Sequence, residues 1–241
     1  MCGEDGVIMA YKKFEGEEVY FDYTDLKEKK ITKFLNGIIK LLSYIIYKVD
    51  YVGLENIPKD GGFIIASNHV SIVDPGFLVI TCDKVHFMAK GELFTNKFLA
   101  KFFRALNAFP VKRGNSDKSS VEYAINVIKQ GKVLGVFPEG TCSDDGFPLQ
   151  PKAGVSLIAK ATRADVLPVA ICTKNKGRLF QRVVIRIGEV IKYEDLGISD
   201  DKRSSSELRA AARLVMDRIV ALWEQGPNAR DRKKGGNELE D

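Results

Sequence analysis

From Gly61 to Val190, short apolar runs alternate with stretches in which apolar residues recur every third or fourth position. The short runs are Phe63–Ala66, Val85–Ala89, Ala108–Val111, Val133–Phe137, Val166–Cys172 and Val183–Val190. Turn residues such as Gly61-Gly62 bound them, and they predict buried strands. The helical period predicts helices over Phe94–Leu106, Ser119–Gln130 and Ala153–Thr162, the second stopped by Gly131. A last helix opens at Ser204, with Glu207 three residues on as in a capping box. Leu208, Val215, Ile219 and Leu222 share its face to about Gln225, and Gly226-Pro227 breaks it. This alternation predicts an α/β fold: a mostly parallel, twisted central sheet flanked by helices. Residues that act on ligands then gather on loops at the carboxyl ends of the strands.

Residues 31–50 differ. Phe34, Leu35, Ile38, Ile39, Leu41, Leu42, Ile45, Ile46 and Val49 cover most of a helix circumference. Lys33, Asn36, Lys40, Ser43 and Tyr47 step along it as one narrow polar stripe. Lys40 interrupts the middle, so a membrane-spanning segment fits poorly. An amphipathic helix lying at a membrane interface fits better, and a helix packed on the domain is the plainer alternative. Residues 1–30 are polar with scattered aromatics and form an N-terminal extension without an assigned fold. Residues 51–225 form the main domain, and the polar tail at 226–241 reads as disordered.

Composition narrows the class. A chain of 241 residues can bury one full core. Its net charge of +5 favours anionic partners such as lipid headgroups, phosphates or coenzyme A, although a solvated basic surface satisfies it equally. The basic residues are dispersed, which speaks against nucleic acid. Cys2, Cys82, Cys142 and Cys172 are scattered without CxxC pairing, so neither a metal site nor a disulfide framework is expected. The first residues lack the pattern of a secretory signal.

Four clusters carry candidate chemistry, each beside a predicted strand. In Asn68-His69-Val70-Ser71-Ile72-Val73-Asp74, His69 and Asp74 stand five apart. A regular helix would separate them by roughly 140°. They meet only if the chain turns, which Asp74-Pro75 favours. A carboxylate on one imidazole nitrogen would leave the other free to take a proton; a helix cap is the bland alternative. Phe109-Pro110-Val111-Lys112-Arg113-Gly114 offers Lys112 and Arg113 to an anionic oxygen group, or is a basic surface loop. Phe137-Pro138-Glu139-Gly140-Thr141 ends a greasy run on an acid that needs a partner or a role. Val166-Leu167-Pro168-Val169-Ala170 places a proline within a strand, where it marks an edge or a bend.

Together, in this order, the four clusters resemble the blocks of the 1-acyl-sn-glycerol-3-phosphate acyltransferase family, the bacterial lysophosphatidic acid acyltransferases. His69 and Asp74 match its H-x4-D motif, Phe109 and Arg113 the second block, Phe137 to Thr141 the third and Pro168 the fourth. Phe87-Met88-Ala89-Lys90-Gly91-Glu92-Leu93 is similar to the segment between the first two. The likeness runs from about Tyr51 to Glu189. Two positions depart: Cys142 stands where the family commonly has Arg, and Asn107 where it often has Gly.

The resemblance implies transfer of a fatty acyl group from acyl-CoA or acyl-carrier protein to the sn-2 hydroxyl of lysophosphatidic acid, without a cofactor or metal. His69 would be the base and Asp74 its partner. Arg113, helped by Lys112 and Lys90, would bind the acceptor phosphate, and Glu139, Gly140 and Thr141 would shape the acceptor site. Attack is expected to be direct, with no acyl-enzyme. A peripheral or monotopic enzyme at the cytoplasmic face of the cell membrane is expected. Acylation of glycerol-3-phosphate or another lyso-lipid, and a non-catalytic membrane-binding module, are the rival readings. A nucleotide-binding protein would need GxxxxGK[ST] or GxGxxG, and the chain has neither.

Overall fold

The structure is a computed structural model and describes residues 12–14, 17–19, 21–23, 30–79, 85–111, 117–174, 179–199 and 204–226. Two short strands, β1 (Lys12–Phe14) and β2 (Glu17–Val19), pair antiparallel. Helix α1 (Lys30–Ile46) follows, then β3 (Lys48–Val52), β4 (Ile64–Ser67), α2 (Asp74–Val79), β5 (Val85–Lys90) and α3 (Lys97–Ala105). The chain continues through β6 (Ala108–Val111), α4 (Lys118–Lys129), β7 (Val133–Val136), α5 (Gly154–Thr162), β8 (Val166–Thr173), β9 (Arg182–Ile187) and α6 (Ser205–Trp223).

Strands β3 to β9 form one sheet in the order β3-β9-β8-β4-β7-β5-β6. Every neighbouring pair is parallel except β8 with β9. The central strands are apolar on both sides because both faces are covered. Ile64 and Ala66 of β4 point into a core made with α4, α5 and α6, where Val127, Ile158, Val215 and Ile219 lie. Ile65 points the other way, to Phe77 and Leu78 of α2 and to Leu167, Val169 and Ile171 of β8. Gly135 in β7 leaves room for a neighbour: a Cβ there would lie 2.4 Å from the Phe87 ring.

Several expectations change. The first helix stops at Ile46, short of the expected 49–50, because Val49 is buried in an edge strand whose Tyr51 lies opposite Ile185 of β9. Pro168 lies in an interior strand, not at an edge. Beside it β9 has already ended: Gly188 donates to the Pro168 carbonyl at 2.9 Å, and pairing resumes only at Val166 with Ile191. The missing N–H therefore falls where the partner backbone bows away. The N-terminal extension is partly core. Val19 and Phe21 are buried, and Phe21 meets Phe94 and Tyr123 edge-on. Only half of the expected capping box forms. Ser204 caps the Glu207 amide, while the Glu207 carboxylate takes the amide and hydroxyl of Ser199. The tail beyond 226 lies outside the described residues.

Asn68 prolongs the β4–β8 ladder after the β4 backbone has turned away. Its Nδ2 donates to the Ile171 carbonyl at 3.1 Å, and its Oδ1 accepts from the Ile171 amide at 2.8 Å. All of this is buried, so both backbone groups depend on one side chain. Asn68→Ala is expected to lower the unfolding free energy by about 2–4 kcal/mol, the cost of two orphaned backbone groups. Urea denaturation measures this; a change below about 0.5 kcal/mol would show that water or a shifted backbone replaces the amide.

Candidate active site

Strands β4, β7, β5 and β6 run parallel, so the loops leaving their carboxyl ends lie along one edge of the sheet. The loop after β4 turns back on itself and brings His69 to Asp74: Nδ1 lies 2.9 Å from Oδ2. The same oxygen accepts from the amides of Val70 at 2.7 Å and Ser71 at 2.8 Å. Three donors on one oxygen hold the five-residue spacing closed, which a helix could not do. Asp74 is fully buried and His69 nearly so, at 13% side-chain exposure. Since an ionised carboxylate only accepts, Nδ1 is the donor, which in the neutral ring leaves Nε2 its lone pair.

The loop after β7 pins the histidine from the other side. Phe137 stacks on the His69 ring, 4.0 Å between centroids and 17° from parallel. Glu139 Oε1 accepts from the His69 amide at 2.9 Å, and the Ser143 amide donates to the His69 carbonyl at 2.7 Å. Gly140 takes φ 70°, which a side chain would strain, and the Lys152 ammonium lies 3.0 Å from where its Cβ would stand. Thr141 is exposed. Burial raises the Glu139 carboxyl from an ordinary 4.5 to about 7, against the opposing pull of the His69 amide.

His69 thus meets Asp74 through its ring and Glu139 through its amide, with Gly140 in the turn between Glu139 and Thr141. Lys90 sits at the end of β5 with its ammonium 3.0 Å from Glu92, not on that cluster. Lys112 and Arg113 lie outside the described residues. Asn107 adopts φ 57°, as a substitute for Gly would need to. Sequence reasoning missed Cys142 Sγ, which lies 3.1 Å from His69 Nε2. The signal was the departure in the third block, where Cys142 stands in place of the family's common Arg. Among the described residues no group of three or more His, Cys, Asp or Glu could hold a metal.

An imidazole held through one nitrogen by a buried carboxylate thus stands at the strand ends of a mostly parallel sheet, a geometry suited to base-assisted group transfer. The chain belongs to the acyltransferase family, whose family model matches residues 48–172. It is 35% identical over 199 residues to the 1-acyl-sn-glycerol-3-phosphate acyltransferase of Bacillus subtilis (strain 168), covering 79% of this chain and 96% of that one. The corresponding enzyme of Streptococcus pneumoniae is 29% identical, with 79% and 70% covered. The crystal structure of the 1-acyl-sn-glycerophosphate (LPA) acyltransferase PlsC from Thermotoga maritima is similar at TM-score 0.61 and 27% identity, covering 91% of this chain and 87% of that chain.

Glu139 generates a pH-dependent stability. Its folded-state value lies above that of the unfolded chain, so between about pH 4.5 and 7 the folded form keeps a proton the unfolded form has lost. Its contribution is full below that window and falls as pH rises through it. The unfolding free energy of the native chain should drop on the order of 2 kcal/mol more across the window than that of Glu139→Gln, solvent screening included. Parallel slopes for the two proteins in denaturant titrations would show that Glu139 ionises normally.

Proposed function

We propose that this acyltransferase moves a fatty acyl group from an acyl thioester to the sn-2 hydroxyl of 1-acyl-glycerol-3-phosphate, forming phosphatidic acid at a membrane surface. The observation that carries it is the 2.9 Å contact between His69 and Asp74. The names of the relatives at 35% and 29% identity support the acceptor. His69 Nε2 takes the hydroxyl proton as the oxygen attacks the acyl carbonyl. Asp74 steadies the imidazolium, and the proton then passes to the departing thiolate. Acyl-CoA and acyl-carrier protein both fit this chemistry as donors. Arg113, with Lys112, is assigned to the acceptor phosphate, Lys90 joining them only by giving up Glu92, and Glu139, Gly140 and Thr141 are assigned to the acceptor site.

The outer surface supports a lipid setting. On α1 the small polar residues Thr32, Asn36 and Ser43 face inward and are buried. Phe34 at 66% and Ile45 at 63% exposure face outward, with Leu41 and Leu42. Helix α3, beside α1, exposes Phe98 at 86%, together with Leu99 and Phe102. Ile72, inside the His69–Asp74 loop, is also exposed. No described helix is long and apolar enough to cross a membrane. Such a face suits a helix lying at the headgroup level of the cytoplasmic leaflet, with the acyl chains entering beside the base.

Two measurements test this. His69→Ala should lower thioester release with lysophosphatidic acid as acceptor by about 10²–10⁴, and Asp74→Asn by a similar factor at unchanged fold. Full turnover in His69→Ala would remove the base assignment; a panel including glycerol-3-phosphate and other lyso-lipids tests the acceptor. The double change Phe34→Asp with Ile45→Asp should weaken co-sedimentation with anionic phospholipid vesicles by at least about tenfold, leaving the circular dichroism unchanged. Unaltered sedimentation would mean that α1 is not the membrane face.

A further inference from the structure

We propose that Cys142 is a modification site for low-molecular-weight disulfides, and that a mixed disulfide formed there blocks His69 and stops acyl transfer. The block rests on His69 being the base of acyl transfer; the modification needs only that its Nε2 take the thiol proton. Cys142 Sγ lies 3.1 Å from His69 Nε2, and His69 Nδ1 lies 2.9 Å from Asp74 Oδ2. Thiol, imidazole and carboxylate therefore stand in the order nucleophile, base and orienting acid.

The backbone builds this juxtaposition. The Ser143 amide, next to Cys142, is bonded to the His69 carbonyl at 2.7 Å, and the His69 amide to Glu139 at 2.9 Å. Phe137 stacked on the ring holds its plane, so Nε2 stays aimed at the sulfur. Cys142 is half-buried, between exposed Thr141 and buried Ser143, so a small reagent can reach it. Cys172 is an internal contrast: it is buried, and burial pushes its thiol up to about 11.

The reaction balances without another oxidant. His69 Nε2 takes the thiol proton, and the thiolate attacks one sulfur of the small disulfide. That S–S bond breaks as the Cys142–S–S–R bond forms. The released thiolate regains the proton from the imidazolium. Excess small thiol reverses every step. While the adduct stands, its bulk fills the space in front of Nε2 that an acceptor hydroxyl must enter.

The test uses the purified full chain. With a chromogenic aryl disulfide at pH 7, peptide mass analysis should find Cys142 labelled about tenfold faster than Cys172, and about tenfold faster than Cys142 in His69→Ala. Oxidised glutathione should cut thioester turnover to below about a tenth, and dithiothreitol should restore it. Cys142→Ala, scored against its own untreated rate, should not respond. Equal labelling in native and His69→Ala protein overturns the site, as does equal loss of activity in Cys142→Ala. If Cys142→Ala has no turnover, the labelling comparison decides alone. A native enzyme thiolated at Cys142 yet fully active overturns the block, and the His69→Ala rate then shows separately whether the base reading has failed. An acyl adduct on Cys142 that the acceptor discharges also overturns it, because the thiol would then take part in transfer.

Discussion

One oxygen of one buried aspartate organises the active end of this molecule. Burying a carboxylate is costly unless donors surround it, and Asp74 Oδ2 has three: the amides of Val70 and Ser71 and the ring of His69. The two amides shape the loop, and the ring bond orients the imidazole, so a single atom positions both the backbone and the ring. That atom is held at the start of α2, whose Phe77 and Leu78 are packed under the sheet. The geometry of the site is thus tied to the hydrophobic core through one short helix.

Much of this was readable from residue pattern. The runs at Ile64, Val85, Val133 and Val166 are short, apolar and flanked by turn residues, and each is a strand within a residue or two of its expected ends. The H-x4-D spacing implied a turn, and the turn exists. The parts that were not readable depend on tertiary partners. Val49 continues the apolar pattern of α1, so nothing local announces that the chain straightens at Lys48; pairing with β9 decides it. Pro168 looks like an edge signal until Gly188 is seen to bow away from it. Glu139 was expected to need a partner or a role, but no spacing rule connects it to the amide of a residue seventy positions earlier.

Helix α1 shows how a pattern can be read correctly and still leave its direction open. Period alone identifies an amphipathic helix but not which side meets the protein. Here burial decides: the small side chains of Thr32, Asn36 and Ser43 turn inward as α1 packs beside α2 and α3, while Lys33 and Lys40 of the polar stripe stay exposed. The wide apolar side is then turned away from the core. In water this arrangement leaves large side chains such as Phe34 and Phe98 uncovered. The same surface flanks the loop bearing His69, where Ile72 is exposed as well.

The two acids around His69 divide the electrostatic work. Asp74 touches the ring and Glu139 touches the backbone amide, so a positive charge on the imidazole is felt mainly by Asp74. Burial, with Asp74 adding to it, raises Glu139 to about 7, so near neutral pH a substantial share of molecules keep this second carboxyl uncharged. Two ionised carboxylates beside the ring would bind an imidazolium more strongly than one would. One acid on the ring and one weakly acidic clamp on the backbone fix the histidine's position without that added field. The clamp need not be charged to act, since either form of the carboxyl offers an oxygen to the amide. Position and charge are therefore separable here: geometry comes from both acids, and the field at the ring chiefly from one.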